Sequence, residues 1–181
     1  MIIISGIYNN FLTFVKHKPL KTNKMKRLFL VFACMLTGLL SMNAQGDFRA
    51  GAHLGIPVGD ASDFTSFTIG ADISYLWPVS DMFSAGISAG VSTYPGKDDF
   101  ENYSFIPLAA SGRVNFSEMW FAGLDLGYAI SIEEGDGGFF YQPKIGWTSG
   151  EFDVFAYYQG ISISDSEFDV TSVGVGAAFK L

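Results

Sequence analysis

The chain has 181 residues, 49% of them hydrophobic and only 16% charged, with a mean hydropathy of +0.27. It is too apolar for a disordered chain, and its 21 glycines make it too glycine-rich for a helix bundle. Up to Arg27 there are six basic residues and no acid, whereas after Gly46 five bases (Arg49, Lys97, Arg113, Lys144, Lys180) face all 18 acids, and that net charge of −13 argues against a nucleic-acid partner.

Residues 1–24 precede a second start at Met25 and read as a dubious N-terminal extension, on which no structure is expected. Residues 25–44 read as a signal peptide helix: a basic start at Met25-Lys-Arg, an apolar run of 13 residues from Leu28 to Leu40, and small Ala44 before Gln45. A membrane-crossing helix needs about 20 apolar residues, so the run is short for one. Cleavage is expected between Ala44 and Gln45. Cys34 follows Val31-Phe-Ala, a weak lipid-attachment context with six apolar residues ahead of it, and no lipid anchor is expected. Cleavage would leave a chain without cysteine, hence without disulfide or thiol chemistry.

Residues 45–181 show repeated period-two alternation. In Phe67-Thr-Ile-Gly-Ala-Asp-Ile-Ser-Tyr75 the odd positions are apolar or aromatic and the even ones small or polar. Phe83–Val91, Ala122–Ile130 and Val173–Phe179 repeat the scheme, which places one set of residues on each face of a strand. Eight strands are predicted, at about 48–58, 65–77, 82–94, 103–116, 119–132, 138–149, 152–163 and 169–181. They exceed the usual length of about 5–6 residues and reach the roughly 9–11 needed to cross a bilayer obliquely. The connections alternate between short (Pro78–Asp81, Ser117–Glu118, Ser149–Gly150) and long, acidic ones. That pattern predicts an all-β, eight-stranded antiparallel up-and-down transmembrane β-barrel with both termini at the short-turn end. Prolines at 57, 107 and 143 predict local bulges.

The less apolar face is mostly Gly, Ser, Ala and Thr rather than the Lys and Glu of a water-facing surface. It suits the crowded interior of a narrow barrel, with the apolar face toward lipid. By parity the interior charges are Arg49, His53, Asp72, Arg113, Asp125, Lys144, Asp153 and Lys180. Buried charges must pair, so an interior polar cluster centred on Arg113, Asp125 and Lys144 is expected, with Asp153 beside Lys144. Trp77, Trp120 and Trp147 all adjoin short turns and are expected as interfacial aromatics at one membrane boundary. The long connections hold eleven acids (Asp60, Asp63, Asp98, Asp99, Glu101, Glu133, Glu134, Asp136, Asp165, Glu167, Asp169) against one base, Lys97. They read as solvated loops whose ligand is unknown.

No catalytic, cofactor-binding or metal-binding motif stands out, and no cofactor is expected. A Ser–His–Asp hydrolase would need His53 and a serine at matching depth, which no local motif supports. Asn43-Ala-Gln45, Phe105-Ile-Pro-Leu108 leading into Val114-Asn-Phe116, Phe121-Ala-Gly-Leu-Asp-Leu-Gly-Tyr128 and Val173-Gly-Val-Gly-Ala-Ala-Phe179 together resemble the outer-membrane β-barrel proteins of Bacteroidetes. The resemblance implies an OmpA/OmpX-like barrel exported through the periplasm into the cell outer membrane, with that membrane's lipids and its assembly machinery as partners. Phe179 and Leu181 would form the C-terminal strand signal, although this chain ends in Leu181 rather than an aromatic residue. The expected role is structural or surface-exposed and non-enzymatic. The alternatives are an accessory of transport or secretion, as a narrow pore or a secretion-system component, and a lipid-modifying outer-membrane enzyme.

Overall fold

The computed structural model describes residues 46–97, 102–133, 136–163 and 169–181. The expected extension and signal peptide, with Cys34, lie outside the described residues, as do Asp98, Asp99, Glu101, Glu134, Asp165 and Glu167. Eight strands follow in chain order: β1 (Asp47–Val58), β2 (Thr68–Pro78), β3 (Phe83–Tyr94), β4 (Tyr103–Asn115), β5 (Trp120–Ser131), β6 (Gly138–Thr148), β7 (Phe152–Ile163) and β8 (Asp169–Lys180). Each pairs antiparallel with its sequence neighbour, and β8 pairs with β1, so the sheet closes on itself. Among the described residues no helix is long and apolar enough to cross a membrane.

The register fixes the dimensions. From Phe48 the paired residues run through Tyr75, Ile87, Ala110, Leu126, Tyr141, Gly160 and Thr171, and return to β1 at Val58, ten residues from the start. With about 3.3 Å of rise per residue and about 4.7 Å between strands, that shear tilts the strands by about 41°. A twelve-residue strand such as β5 then spans about 27 Å along the barrel axis.

Two expectations are corrected. Strand β2 begins at Thr68 rather than 65, because the chain first makes one helical turn, α1 (Ala61–Phe64), and a single bridge between Thr65 and Gly96. Thr65 Oγ1 donates to the Ala61 carbonyl at 2.9 Å, and Lys97 Nζ donates to the Ser62 carbonyl at 2.6 Å, tying the first two long loops together. The prolines make no bulge. Pro57 pairs in register with Ser172. Pairing lapses where Pro107 faces β3 and where Pro143 faces β7, then resumes in the same register. A proline removes a donor from the ladder; it does not by itself insert a residue.

The inward face is also less uniformly small than expected. On β3 and β8 it is mostly Gly, Ser and Ala and on β1 and β2 glycines alternate with Arg49, His53, Asp72 and Leu76, but β4 to β7 carry Phe105, Phe121, Phe140, Phe155, Tyr157 and Ile161, all buried. The two kinds fit together. A Cβ on Gly176 would come within 2.5 Å of the Phe155 ring, and one on Gly174 within 2.8 Å of the Tyr157 ring. The glycines of β8 are therefore holes filled by the aromatics of β7. Outward positions carry exposed Phe, Ile, Leu, Val, Tyr and Trp, the inverse of a soluble protein's surface.

Candidate functional site: the barrel lumen

The lumen is filled in tiers. At the short-turn end, Asp153 Oδ2 accepts from Arg113 Nη1 at 2.5 Å and from Arg49 Nη1 at 2.8 Å, with all three side chains buried. Arg113 also lies over the Phe121 ring, 3.7 Å from its centroid, and its Nε donates to Asn115 at 3.0 Å. Arg49 Nη2 donates to the Gly150 carbonyl at 3.0 Å and reaches Asp47 at 3.3 Å. Further in, Lys144 Nζ meets Asp125 at 2.7 Å, and Ser111 donates to the same carboxylate at 2.5 Å. On the β1–β3 side, His53 Nδ1 stands 3.2 Å from Asp72 and Nε2 stands 3.3 Å from Ser92 Oγ. Above them Gln142 donates to Gln159 at 3.1 Å, and Gln159 donates to the Tyr94 hydroxyl at 2.8 Å. Toward the long-loop end an apolar plug of Tyr94, Phe105, Ala129, Phe140 and Ile161 closes the bore.

Seven of the eight sequence-predicted charges face the bore, Lys180 being the exception, and their pairing differs from the expected single cluster. Arg113, Asp125, Lys144 and Asp153 divide into two groups: Asp125 takes Lys144, and Asp153 takes Arg113 with Arg49. Asp153 is in register with Thr148, two inward places nearer the short turns than Lys144, so Lys144 does not reach it along the wall. Arg113 and Arg49 do reach it, because the bore is narrow enough for a long guanidinium arm to cross. Lys180 sits at the mouth rather than inside, with its side chain 42% exposed, and pairs there with Asp47. Sequence reading missed Ser92, Ser111, Gln142, Gln159 and Tyr94, although each lies on the inward parity of its strand.

The three tryptophans lie on the outer face beside short turns. Trp120 and Trp147 are opposite one another in register, and Trp77 meets Tyr75 edge-on at 5.0 Å between centroids. Phe179 points outward against Phe152 at 4.6 Å, and the exposed Leu181 donates its backbone N–H to the Phe48 carbonyl at 2.8 Å.

Ser92, His53 and Asp72 have the order of a hydrolase relay, nucleophile to base to orienting acid. Gly70 makes this possible. It lies between His53 and Ser92 in register, and without a side chain it lets the imidazole pass over β2. The surroundings decide what the relay can do. The cavity it faces, shared with Asp125, Gln142 and Gln159, measures about 20 Å³, and a second below it, lined by Arg49, Arg113, Lys144 and Asp153, about 30 Å³. At roughly 10–15 Å³ per water, these hold one to three waters, not a substrate.

No protein-family model matches the chain, and no curated protein matches it either. Solved structures similar to it include small barrels. The outer membrane protein Ail of Yersinia pestis, in a phospholipid nanodisc, superposes with a TM-score of 0.53 at 11% identity, covering 76% of this chain and 100% of that one. The N-terminal β-barrel domain of Pseudomonas aeruginosa OprF gives 0.44 at 13% identity, covering 76% and 100%. Neisserial surface protein A gives 0.43 at 13% identity, covering 75% and 96%. At 11% identity the likeness to Ail is one of fold alone, a closed eight-stranded up-and-down barrel.

Proposed function

We propose that the protein is a small integral barrel of the outer membrane with a filled interior, acting as a structural or surface-exposed anchor without catalysis. The carrying observation is the apolar outer face wrapped around a plugged bore. On β5 the outward series from Trp120 to Ile130 climbs about 25 Å at the tilt derived above, the height of the lipid-facing band of outer-membrane barrels, whereas an average bilayer core is about 30 Å. Export through the periplasm, insertion by the assembly machinery and membership of the Bacteroidetes-type barrels belong to the same reading. They rest on the charge split, the apolar run and the motifs of the sequence. The tiered filling of the lumen opposes an open pore, and the enclosure of Ser92 and His53 opposes a lipid-modifying enzyme. Fractionation followed by gel mobility with and without boiling tests the proposal: a membrane protein that runs faster unboiled is expected, and a soluble protein, or one with no heat-dependent shift, would overturn it.

A further inference from the structure

Two prolines each take a donor out of the barrel wall. Residues opposite one another in antiparallel strands alternate between pairs that exchange two backbone hydrogen bonds and pairs that exchange none. Between β3 and β4 the pairs Gly90–Pro107 and Val91–Ile106 are missing, whereas Ala89–Leu108 and Ser92–Phe105 are kept. A single lost bond accounts for that pattern: the one an N–H at position 107 would donate to the Gly90 carbonyl. Proline has no N–H to give. Between β6 and β7 the pairs Gln142–Gln159 and Pro143–Tyr158 are missing, whereas Tyr141–Gly160 and Lys144–Tyr157 are kept. By the same logic Pro143 leaves the Tyr158 carbonyl without its ladder donor. On their other edges both prolines pair in register with β5, so each loss is confined to one seam. Gly90 and Tyr158 each lie at least four residues from either end of their strands. Hydrocarbon outside the wall supplies no donor, so a donor for these carbonyls has to come from within.

The cavity that the relay faces, about 20 Å³, meets both gaps. It is lined by Gly90 and Pro107 at the first and by Gln142 and Gln159 at the second. Gln159 carries the amide nitrogen bonded to the Tyr158 carbonyl carbon. At roughly 10–15 Å³ per water the cavity holds one or two, and a buried water needs two to four polar partners. Asp72, Asp125, Ser92 and Gln142 in the same lining supply them. We propose that this cavity is a binding site for one or two resident waters that replace the missing proline N–H groups. A water there donates to the freed carbonyl and to a carboxylate, Asp72 or Asp125, and accepts from the Gln142 amide or the Ser92 hydroxyl. It is a part of the sheet, closing the two seams that proline opens. The need for an internal donor rests on the membrane reading above, because water outside the wall would serve the carbonyls equally well.

The test uses the barrel purified from membranes in detergent micelles. Oxygen-17 relaxation dispersion of the solvent counts waters that stay in a protein longer than it tumbles. Ser88 also lines the cavity, and Ser88→Val fills it with methyl groups. The dispersion step of the wild type is expected to fall in Ser88→Val by the amplitude of one or two waters. Pro107→Ala gives the Gly90 carbonyl a donor of its own, so the residence time of the water should shorten several-fold in that variant, which keeps the cavity. Urea unfolding links the two effects: Ser88→Val should lower the midpoint, and adding Pro107→Ala should recover at least half of that loss. A step that Ser88→Val leaves unchanged, a residence time that Pro107→Ala leaves unchanged, or a midpoint loss of the same size with and without Pro107→Ala would overturn the water site. A chain that stays dispersed and folded without detergent would instead overturn the membrane reading beneath it.

Discussion

Asp153 is the side chain on which the lumen depends most. It is buried and holds two buried guanidiniums, at 2.5 and 2.8 Å. Replacing it with Asn keeps the shape and removes the charge. At an effective dielectric near 20 and about 4 Å between charge centres, each lost contact is worth roughly 4 kcal/mol gross. Part of that is offset, because the carboxylate no longer has to be desolvated, Arg49 retains Asp47, and Arg113 retains Asn115 and the Phe121 face. Two arginines are nevertheless left facing each other in a bore with room for a few waters. The expected net loss is about 3–5 kcal/mol, the usual cost of removing one partner from a buried ion pair. Equilibrium urea unfolding in detergent micelles, followed by tryptophan fluorescence, measures it. Asp153→Leu combined with Arg113→Met should recover at least half of the loss, since the stranded charge goes with its partner. A loss below about 1 kcal/mol for Asp153→Asn would refute the assignment of this bridge as the lock of the short-turn end.

Other outcomes follow from the same geometry. In planar bilayers the wild type and Asp153→Asn should both be electrically silent, because the plug around Phe105 and Phe140 closes the opposite end; steady channels would defeat the filled-lumen reading. Gly176→Val, which drives a side chain into the Phe155 ring, should cost about 1–3 kcal/mol, as overpacking does, and Phe155→Ala should relieve it; unaltered stability in Gly176→Val would show that the hole is not filled as described. Phenylmethylsulfonyl fluoride should leave Ser92 unmodified by mass spectrometry, and His53→Gln should leave the outer-membrane lipid profile unchanged. Labelling of Ser92 that His53→Gln abolishes would instead reveal access to the relay.

The eight strands were legible in the sequence because the outward face is consistently apolar, and alternation at that strength specifies register as well as strand. Parity assigned the interior charges for the same reason. Which charge meets which was not legible. A strand's sequence reports its own faces, whereas Arg113 and Asp153 meet across the bore, through a distance set by strand number and shear. The large inward residues escaped notice for a related reason: parity puts Phe155 and Tyr157 on the face of Asp153, but rings of that size look unsuited to the bore until the glycines of β8 opposite them are known to be holes. Serines such as Ser92 carried no local signal, because their partners arrive from other strands over a residue, Gly70, that contributes only its absence of a side chain.

The unbroken register has a consequence for how such a chain can change over evolutionary time. With no bulge in any seam, a strand has no slack to absorb a length change. One residue inserted within β5 would turn every following side chain of that strand around, sending Asp125 or Phe121 toward hydrocarbon and a leucine into the bore. Because the sheet is closed, the misfit could not escape at a free edge and would pass to both neighbours. A two-residue insertion or deletion in a strand preserves that parity, whereas a single extra residue has to be taken up as a new bulge, a constraint the long connections do not share. In this architecture the loops are the part of the protein free to diversify.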